Sequence, residues 1–472
     1  MRDSPPPVPR RFTIGTLVYT RGALAQVIFW LLWGDFFFQL MESLPALIPL
    51  QLRWEGASDA TIGWINSLPP FIGFFLFPVA GVQSDRHRGR LGRRRPFLLW
   101  FTAPVVLGLV LLGAAKPAGT LLHQVLVAFG GTGLTTAGCT IAWIALCVAI
   151  FVVFNAYIVQ VFSCLVADVI PREVLGTYFG LYRGVGALGS LAFNRWVLGW
   201  AETHTFHVYF LVGLLYAGAF YLIVWRVKEG TYPPPPPREA KRGWRDIKRY
   251  FMECFRNPLH VSYYVVTFFI WGAGVPLGFM VFFATQAGQP GYADTLGLTL
   301  RQFGEVKGWT LLITIPIYFV SGPVIDRFHP LRCTLAGLAL TSATYFFGYW
   351  FVRDATSLQV WWCVNQCALA VYLVAVCAVA PIVFPREQYG QFISANVAFG
   401  YVSLVILHPV VGRLLEGVRD YRYVYILCGT LSGLAALACT ILIWHWKRQN
   451  GALPPMIRAR TLRGIEPQTQ SS

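Results

Sequence analysis

The sequence predicts an all-α membrane protein with twelve transmembrane helices in two six-helix halves and both termini on the cytoplasmic side. Three observations predict this fold class: the chain is poor in charge, apolar runs of membrane-spanning length recur along it, and motifs of its first half return in its second. Only 12% of its 472 residues are charged and 56% are hydrophobic, whereas about a quarter of a soluble domain is charged. Lipid is therefore the expected solvent for most of the chain.

The apolar runs give the number of crossings, since a helix needs about 20 apolar residues to span the hydrocarbon of a bilayer. Runs of that length fall at residues 26–50, 61–83, 97–115, 141–168, 174–198, 207–226, 259–285, 307–325, 333–352, 359–384, 391–415 and 423–446. These twelve runs form an even number, which places both termini on the same side of the membrane.

The distribution of Lys and Arg gives the orientation. Of 38 such residues, 28 lie in the termini and connections that would share one side, and seven lie in the loops of the other side. Positive residues favour the cytoplasmic side of a membrane, so both termini are expected in the cytoplasm. The expected location of the protein is the plasma (inner) membrane. The formal net charge of +17 is then explained by membrane anchoring, and no nucleic-acid partner is expected.

The chain divides into four segments. Residues 1–227 form the first half with its cytoplasmic tail, 228–258 a linker, 259–446 the second half, and 447–472 a second tail. The linker contains five consecutive prolines and then a basic stretch with aromatic residues near helical spacing. We interpret this stretch as an amphipathic helix on the cytoplasmic membrane surface, with a binding site for a partner protein as the alternative.

An internal repeat supports the two halves. IPREVLGTYFG at 170–180 returns as FPREQYGQFIS at 384–394, an offset of 214, and GVQSDR at 81–86 returns as GPVIDR at 322–327, an offset of 241. The difference of 27 residues predicts an insertion between helices 3 and 4 of the first half, as an outside loop or a short interfacial helix. Small residues at 176, 180 and 184 predict a surface for close helix packing.

The loop between helices 2 and 3 carries the most specific motif, GVQSDRHRGRLGRRRPF at 81–97. Six of its residues resemble the signature loop of the major facilitator superfamily: Gly81, Asp85, Arg86, Gly92, Arg93 and Arg94. The fuller pattern, with Ser84, Arg90, Arg95, Pro96 and Phe97, resembles the sucrose transporters and their relatives among the glycoside–pentoside–hexuronide:cation symporters.

That resemblance implies that the loop is a conformational latch, whereas a plain charge run would only anchor the loop at the membrane. Asp168, at the end of helix 4, is the nearest sequence candidate for a partner of the arginines, which can grip a carboxylate with two hydrogen bonds. The second-half copy keeps Gly322, Asp326 and Arg327 but has only Arg332 in place of the arginine cluster. A latch in both halves is therefore open to question.

Ionisable residues inside the membrane are functional candidates, because a charge at the bilayer centre costs several kcal/mol. Helix 1 carries Asp35, Gln39 and Glu42 at i, i+4 and i+7, on one helical face. Arg183 on helix 5 always keeps its proton and needs an anionic partner. Asp35 is the first candidate for that partner and Glu42 the second, and the pair could equally be structural.

Further polar residues complete the predicted binding site for a substrate or ion. Asn155 and Gln160 lie at middle depth on helix 4, and Asn365 and Asn396 lie in the second half, where core packing is the alternative for each. The spacing of Gly272, Gly274, Pro276 and Gly278 predicts a bend in helix 7.

The resemblance implies a secondary transporter that couples a sugar or glycoside to protons or sodium by alternating access, in which Asp35 and Arg183 match the family's site residues by helix and depth. Asn155 stands where such relatives often carry an acid, which leaves the coupling cation open. An exporter, a lipid or drug carrier, and a sensor of the same fold are the alternatives. Common hydrolase and P-loop motifs are absent from the sequence, so we expect no enzyme. We expect a monomer with no cofactor and no bound metal.

Overall fold

The computed structural model describes residues 11–131, 133, 135–171, 174–232, 234, 252–285, 292–293, 295–385 and 389–451, without the side chains of residues 175–177, 180, 315, 318–323, 326 and 389–390. The described chain is mostly helical. It separates into two compact units, Met1–Ala57 with Phe71–Arg238 and Ser58–Pro70 with Glu239–Ser472. The predicted amphipathic helix of the linker and the tail beyond residue 451 lie outside the described residues.

The elements follow one another in this order. Two strands come first, β1 (Phe12–Ile14) and β2 (Leu17–Tyr19), paired as an antiparallel hairpin. Nine helices follow up to the linker: α1 (Arg21–Glu42), α2 (Ile48–Trp54), α3 (Asp59–Asn66), α4 (Leu68–Arg86), α5 (Arg95–Gly113), α6 (Ala115–Ala128), α7 (Thr136–Val169), α8 (Leu175–Ala192) and α9 (Thr205–Arg226). Seven more follow it: α10 (Pro258–Ala273), α11 (Met280–Ala284), α12 (Leu300–Phe328), α13 (Pro330–Phe351), α14 (Ala355–Val383), α15 (Tyr389–Val418) and α16 (Tyr423–Asn450).

Within the described residues, nine helical stretches are long and apolar enough to cross a membrane. They correspond to nine of the twelve predicted runs. The other three runs lie in helices α8, α12 and α13, which are not among these nine stretches. The chain is thus an all-α, multi-pass membrane protein apart from its small hairpin.

Helix α12 begins seven residues earlier than its apolar run. Thr299 caps it, because the side chain of Thr299 accepts a hydrogen bond from the backbone of Gln302 while the side chain of Gln302 bonds back to Thr299. Arg301 and Lys307 therefore lie on the first turns of this helix.

Several helices break inside their predicted runs. The first run contains α1, a 3-10 turn at Leu44–Leu47 and α2. The predicted bend in helix 7 is confirmed, since α10 ends at Ala273 and a 3-10 turn at Pro276–Phe279 precedes α11. Proline lacks the amide hydrogen that continues an α-helix, so Pro276 and its flanking glycines favour the break at this point.

The core of the second unit lies among helices α10, α13, α14, α15 and α16. Tyr264, Leu331, Val379 and Cys439 are buried together in one apolar cluster. In the first unit α5 packs against α7 and α9, and α1 packs against α8 and α9. Helix α3, from the sequence of the first half, packs on α15 of the second unit, where Tyr421 donates to both oxygens of the buried Asp59 at 3.1 and 3.2 Å.

His329 connects α12 to α13 and caps the second of them. Its backbone has a φ of 78°, its side chain is buried, and its Nδ1 accepts a hydrogen bond from the amide of Leu331 at 3.2 Å. Burial, and then the charge of Arg332, lower the pKa of His329 below its ordinary value of 6.5. Only the neutral ring can accept this bond.

We expect the stability of the second unit to fall between pH 7.5 and pH 5. The pKa of His329 is depressed in the folded state, so its contribution is complete above pH 6.5 and is lost as the pH falls and the ring takes up a proton. Loss of a helix cap costs about 1 kcal/mol. Thermal melts of the purified protein should show this pH dependence, and His329→Asn, which keeps a cap and tolerates positive φ, should flatten it. An equal slope in the variant would contradict the assignment.

Candidate functional site

The motif loop forms a tight turn between α4 and α5. Gly89 and Gly92 exchange backbone hydrogen bonds of 3.3 and 3.0 Å, and Gly92 has a φ of 103°. Side chains with a Cβ atom rarely adopt that conformation. The sequence GRLG therefore reverses the chain and presents the three following arginines at the start of α5.

The carboxylate of Glu229 caps α5. It accepts hydrogen bonds from the backbone amides of Arg93, Arg94 and Arg95 at 2.9, 2.9 and 2.8 Å. These amides have no partner within the helix, and a negative charge at a helix N-terminus is favourable. A Cβ atom on Gly92 would lie 2.7 Å from the carboxyl carbon of Glu229. The glycine of the motif is thus required for this contact.

Arg94 lies at the centre of the cluster, with only 4% of its side chain exposed. Its guanidinium group donates to Ser84 Oγ at 2.5 Å, to Asp85 Oδ1 at 2.5 Å and to Asp168 Oδ2 at 3.0 Å. Ser84 in turn donates to the carbonyl oxygen of Gly81 at 3.0 Å. The side chain of Arg94 therefore connects the end of α4 to the end of α7.

Arg93 holds the other side of Asp168. Its Nε and Nη2 donate to the two carboxylate oxygens at 3.0 and 2.5 Å, and its guanidinium carbon lies 4.0 Å from the ring centre of Tyr232. Burial lowers the pKa of Arg93, but the hydrogen bond and charge of Asp168 raise it more, so the net pKa lies above its ordinary value. Asp168 is thus a carboxylate to which both arginines donate hydrogen bonds.

The other motif residues lie around this cluster. Gly81 lies where α4 meets α7, and a Cβ atom there would be in ordinary van der Waals contact with Nε2 of Gln160, at 3.4 Å. Gln160 thus packs beneath the loop. Arg86 is exposed at the end of α4. In the second-half copy the side chain of Asp326 lies outside the described residues, and Arg327 lies 5.6 Å from the ring centre of Phe328.

Gly92→Ala should displace Glu229 from the amides of α5. The variant combines an unfavourable φ with a clash at the carboxylate, so we expect a loss of about 2 kcal/mol of stability. Thermal melting of the purified variant measures the loss. Gly56→Ala is the matched control, since Gly56 also has a positive φ, 79°, but its Cβ atom would meet nothing within 4 Å. Equal losses would show that backbone strain alone is responsible.

A second polar cluster surrounds Asp35, which is fully buried on α1. Gln39 and Tyr182 lie beside its carboxyl group, and a Cβ atom on Gly186 would lie 3.4 Å from Asp35 Oδ2. Among the described residues, neither oxygen of Asp35 accepts a hydrogen bond of normal geometry. Asp35 is thus a carboxyl group held inside the helices, with Gln39 and Tyr182 as its polar neighbours.

In the described part of α8, Gly186 and Gly189 approach α1, whereas the surroundings of the predicted Gly176 and Gly180 lie outside the described side chains. Gly184 faces open space, whereas Cβ atoms on Gly186 and Gly189 would lie 3.1 Å from Gln39 Cγ and 2.6 Å from the carbonyl oxygen of Phe36. The same face of α8 carries Tyr178 and Tyr182, whose ring centres are 6.1 Å apart. Sequence reasoning missed these tyrosines, although the spacing of residues 178, 182, 186 and 189 places them on one helical face.

The predicted ion pair between Asp35 and Arg183 is wrong as a direct contact. Arg183 is exposed, and its charge acts on Asp35 through space without a hydrogen bond to the carboxylate. The reason is geometric: Tyr182 and Gly186 occupy the face of α8 that meets α1, and Arg183 is rotated about 100° from Tyr182 on the helix. Arg183 is therefore accessible to a ligand.

Glu42 belongs to a separate group, about 10 Å further along α1. Its Oε1 accepts a hydrogen bond from Nδ2 of Asn155 on α7 at 2.7 Å, and its charge reaches the buried Tyr216 of α9. The side chain of Glu42 is exposed to solvent by its accessible surface, although many atoms of the surrounding helices lie near its carboxyl group. The two acids predicted on one face of helix 1 thus contact different helices: Asp35 lies against α8, and Glu42 bonds to α7.

The predicted polar residues of the second unit form contacts between helices. Nδ2 of Asn365 donates to Thr344 Oγ1 at 2.8 Å, and Thr267 Oγ1 donates to Asn396 Oδ1 at 2.7 Å. Both asparagines are buried. In the part of the chain that the structure describes, no group of three His, Cys, Asp or Glu side chains could hold a metal ion.

The fold and these two clusters define a multi-pass membrane protein whose helical units carry a cationic signature loop and a buried carboxyl group. The family model of the Major Facilitator Superfamily matches residues 24–304 and 277–461. The chain belongs to this superfamily.

Curated relatives match a shorter part of the chain. "Proton-associated sugar transporter A" of Rattus norvegicus is 34% identical over 129 residues, 26% of this chain and 17% of that protein. "General alpha-glucoside permease" of Schizosaccharomyces pombe (strain 972 / ATCC 24843) is 33% identical over 108 residues, 23% of this chain and 18% of that protein. The matched part thus spans less than a fifth of the length of either relative.

Solved structures match the whole fold. A D-xylose-proton symporter aligns with a TM-score of 0.61 at 14% identity, over 92% of this chain and 98% of the symporter. The nucleoside transporter NupG aligns with a TM-score of 0.62 at 12% identity, over 89% of this chain and 99% of the transporter. Identities this low indicate a shared fold alone.

Proposed function

We propose that this protein is a secondary transporter that couples the uptake of a sugar or glycoside to a cation, with the proton as the first choice. The buried carboxyl group of Asp35 carries the proposal, because its oxygens accept no hydrogen bond of normal geometry and the exposed cation of Arg183 lies nearby. The resemblance of the motif loop to sugar:cation symporters and the two curated relatives support the choice of cargo.

In the proposed mechanism Asp35 takes up the coupling proton, and Arg183 and Gln39 contact substrate hydroxyl groups. Tyr182 adds a further donor beside the same carboxyl group. Substrate and proton together shift the balance between two conformations of the transporter, which is how a secondary transporter uses a gradient. Asn155 and Glu42, already hydrogen-bonded to each other, have a supporting role in shaping the cavity.

We propose that twelve helices cross the membrane with both termini in the cytoplasm. The excess of Lys and Arg in the inside connections and the position of the motif loop support this topology. Single cysteines in place of Arg90 and Arg353, in a chain without other accessible cysteines, should react with an impermeant reagent from the cytoplasmic and outer side, respectively. Labelling of position 90 from outside would reverse the topology.

Transport by purified protein in liposomes tests the cargo and the cation. We expect labelled sucrose, maltose or another glucoside to accumulate under an imposed proton gradient and not under a sodium gradient of equal size. Accumulation driven by a sodium gradient alone would show that sodium, and not the proton, is the coupling cation. Binding without turnover would indicate a sensor, and loss of preloaded substrate under the inward proton gradient would indicate an exporter.

The motif cluster is proposed to act as a latch on the cytoplasmic side. Asp85 supports this role, because its side chain is 57% exposed although it is bonded to Arg94, and an exposed contact can open at low cost. Opening this contact would change the balance of conformations without touching the substrate. Asp85→Asn should therefore slow transport and leave substrate affinity within a few-fold of the wild type.

A further inference from the structure

The second unit contains an amphipathic cavity that the proposed transport function does not use. It has a volume of about 380 Å³ and lies where α10 begins and α16 ends. Nε2 of Gln449 donates to Oδ1 of Asn257 at 3.0 Å and joins the two helix ends at this point. The volume falls within the range of small-molecule binding sites.

The cavity changes in polarity along its length. Arg256 and His445 line the end of the cavity near the helix termini, here called its mouth, whereas Val261, Val265, Ala438 and Ile441 line the part further along α10 and α16. Residues 258, 261 and 265 share one face of α10 over about 10 Å, and residues 438, 441 and 445 share one face of α16. A ligand that fits both parts has an anionic end and an apolar chain.

The residues around the mouth are typical of those at a membrane surface. Trp444, next to His445, is 55% exposed, and the guanidinium carbon of Arg448 lies 5.6 Å from its ring centre. Exposed tryptophan beside basic residues is typical of the boundary between headgroups and hydrocarbon. The cavity thus runs from this boundary toward the apolar interior.

We propose that this cavity binds an anionic phospholipid, with the phosphate at Arg256 and His445 and an acyl chain along Val265 and Ile441. The leaflet is the cytoplasmic one under the topology proposed above. The protein's own C-terminal tail fits less well, because residues 452–472 contain three arginines and a single acid, so their charge is of the same sign as the mouth.

Native mass spectrometry of the purified full chain tests the proposal. Phosphatidylglycerol and phosphatidylcholine with the same acyl chains are titrated separately, and inorganic phosphate is added in a third series. A cation at a membrane surface strengthens anionic lipid binding roughly fivefold. We expect R256Q/H445Q to weaken phosphatidylglycerol binding by at least that factor and to leave phosphatidylcholine unchanged. Ile441→Ala should weaken both lipids equally.

Arg226→Gln is the matched control, because Arg226 also ends a helix beside an exposed tryptophan, 4.4 Å from the ring centre of Trp225. Unchanged phosphatidylglycerol binding by R256Q/H445Q, or an equal loss in R226Q, would overturn the proposal. Binding of inorganic phosphate that depends on Arg256, without retention of lipid, would assign the mouth to a soluble anion instead. Thermal melts verify that each variant is folded. No transport is measured, so the result is independent of the proposed cargo.

Discussion

Asp35→Asn is expected to abolish gradient-driven accumulation of the substrate while leaving substrate exchange measurable. The amide keeps the shape of the buried carboxyl group but cannot bind and release a proton. One proton that moves down a gradient of one pH unit supports about tenfold accumulation. In liposomes the accumulation ratio of the variant should therefore fall from about ten to about one. Counterflow of labelled substrate without a gradient reports the remaining exchange.

Glu42→Gln is the matched control, since it alters a second carboxyl group on the same helix. Its amide oxygen can still accept the hydrogen bond from Asn155, so accumulation should stay near the wild-type ratio. Normal accumulation by Asp35→Asn at normal expression would remove Asp35 from the coupling mechanism. Loss of accumulation in Glu42→Gln alone would show that Glu42, and not Asp35, binds the coupling proton.

Asp168→Asn is expected to cause the largest loss of stability. Asp168 bonds both Arg93 and Arg94, and the side chains of Asp168 and Arg94 are 14% and 4% exposed. Removal of one member of a buried ion pair costs about 3–5 kcal/mol, because the remaining charge is left without a partner. We expect the lower end of that range, since Asp85 still contacts Arg94. The melting temperature and the yield of folded protein measure the loss.

Asp85→Asn controls for the loss of a carboxylate beside Arg94. The exposed contact of Asp85 should contribute at most about 1 kcal/mol to stability. The two variants thus separate two roles: Asp168→Asn should unfold more easily, and Asp85→Asn should melt normally but transport slowly. Equal melting temperatures would show that Asp168 does not hold the cluster together.

The sequence contained enough information for the helices and for part of the motif cluster. Apolar runs predict helices because their length and composition reflect the bilayer directly. Asp168 could be paired with the arginines from the sequence, because opposite charges at helix ends on the same side of a membrane attract each other. Glu229 was not predicted, since its partners are backbone amides, which leave no trace in the sequence beyond the glycine at position 92.

The contacts of Asp35 were harder to predict because they depend on helix rotation. A difference of one residue on α8 turns a side chain by about 100°, which is enough to place Tyr182 rather than Arg183 against the carboxyl group. Likewise the small residues at 176, 180 and 184 and the pair at 186 and 189 are equally plausible packing surfaces from spacing alone. The packed helices show close contacts at Gly186 and Gly189 and none at Gly184.

The length of α7 has a consequence for how the protein meets membranes of different thickness. Its 34 residues extend about 51 Å, and even a tilt of about 40° leaves roughly 39 Å against a hydrocarbon layer of about 30 Å. Under the proposed topology the charged group around Asp168 lies at one membrane surface, so the surplus length is expected at the Thr136 end. Helix α6, from the segment inserted in the first half, packs there, with Gly119 against Thr140. We expect changes of a few ångströms in bilayer thickness to be absorbed at this end, while the cluster around Asp168 keeps its position.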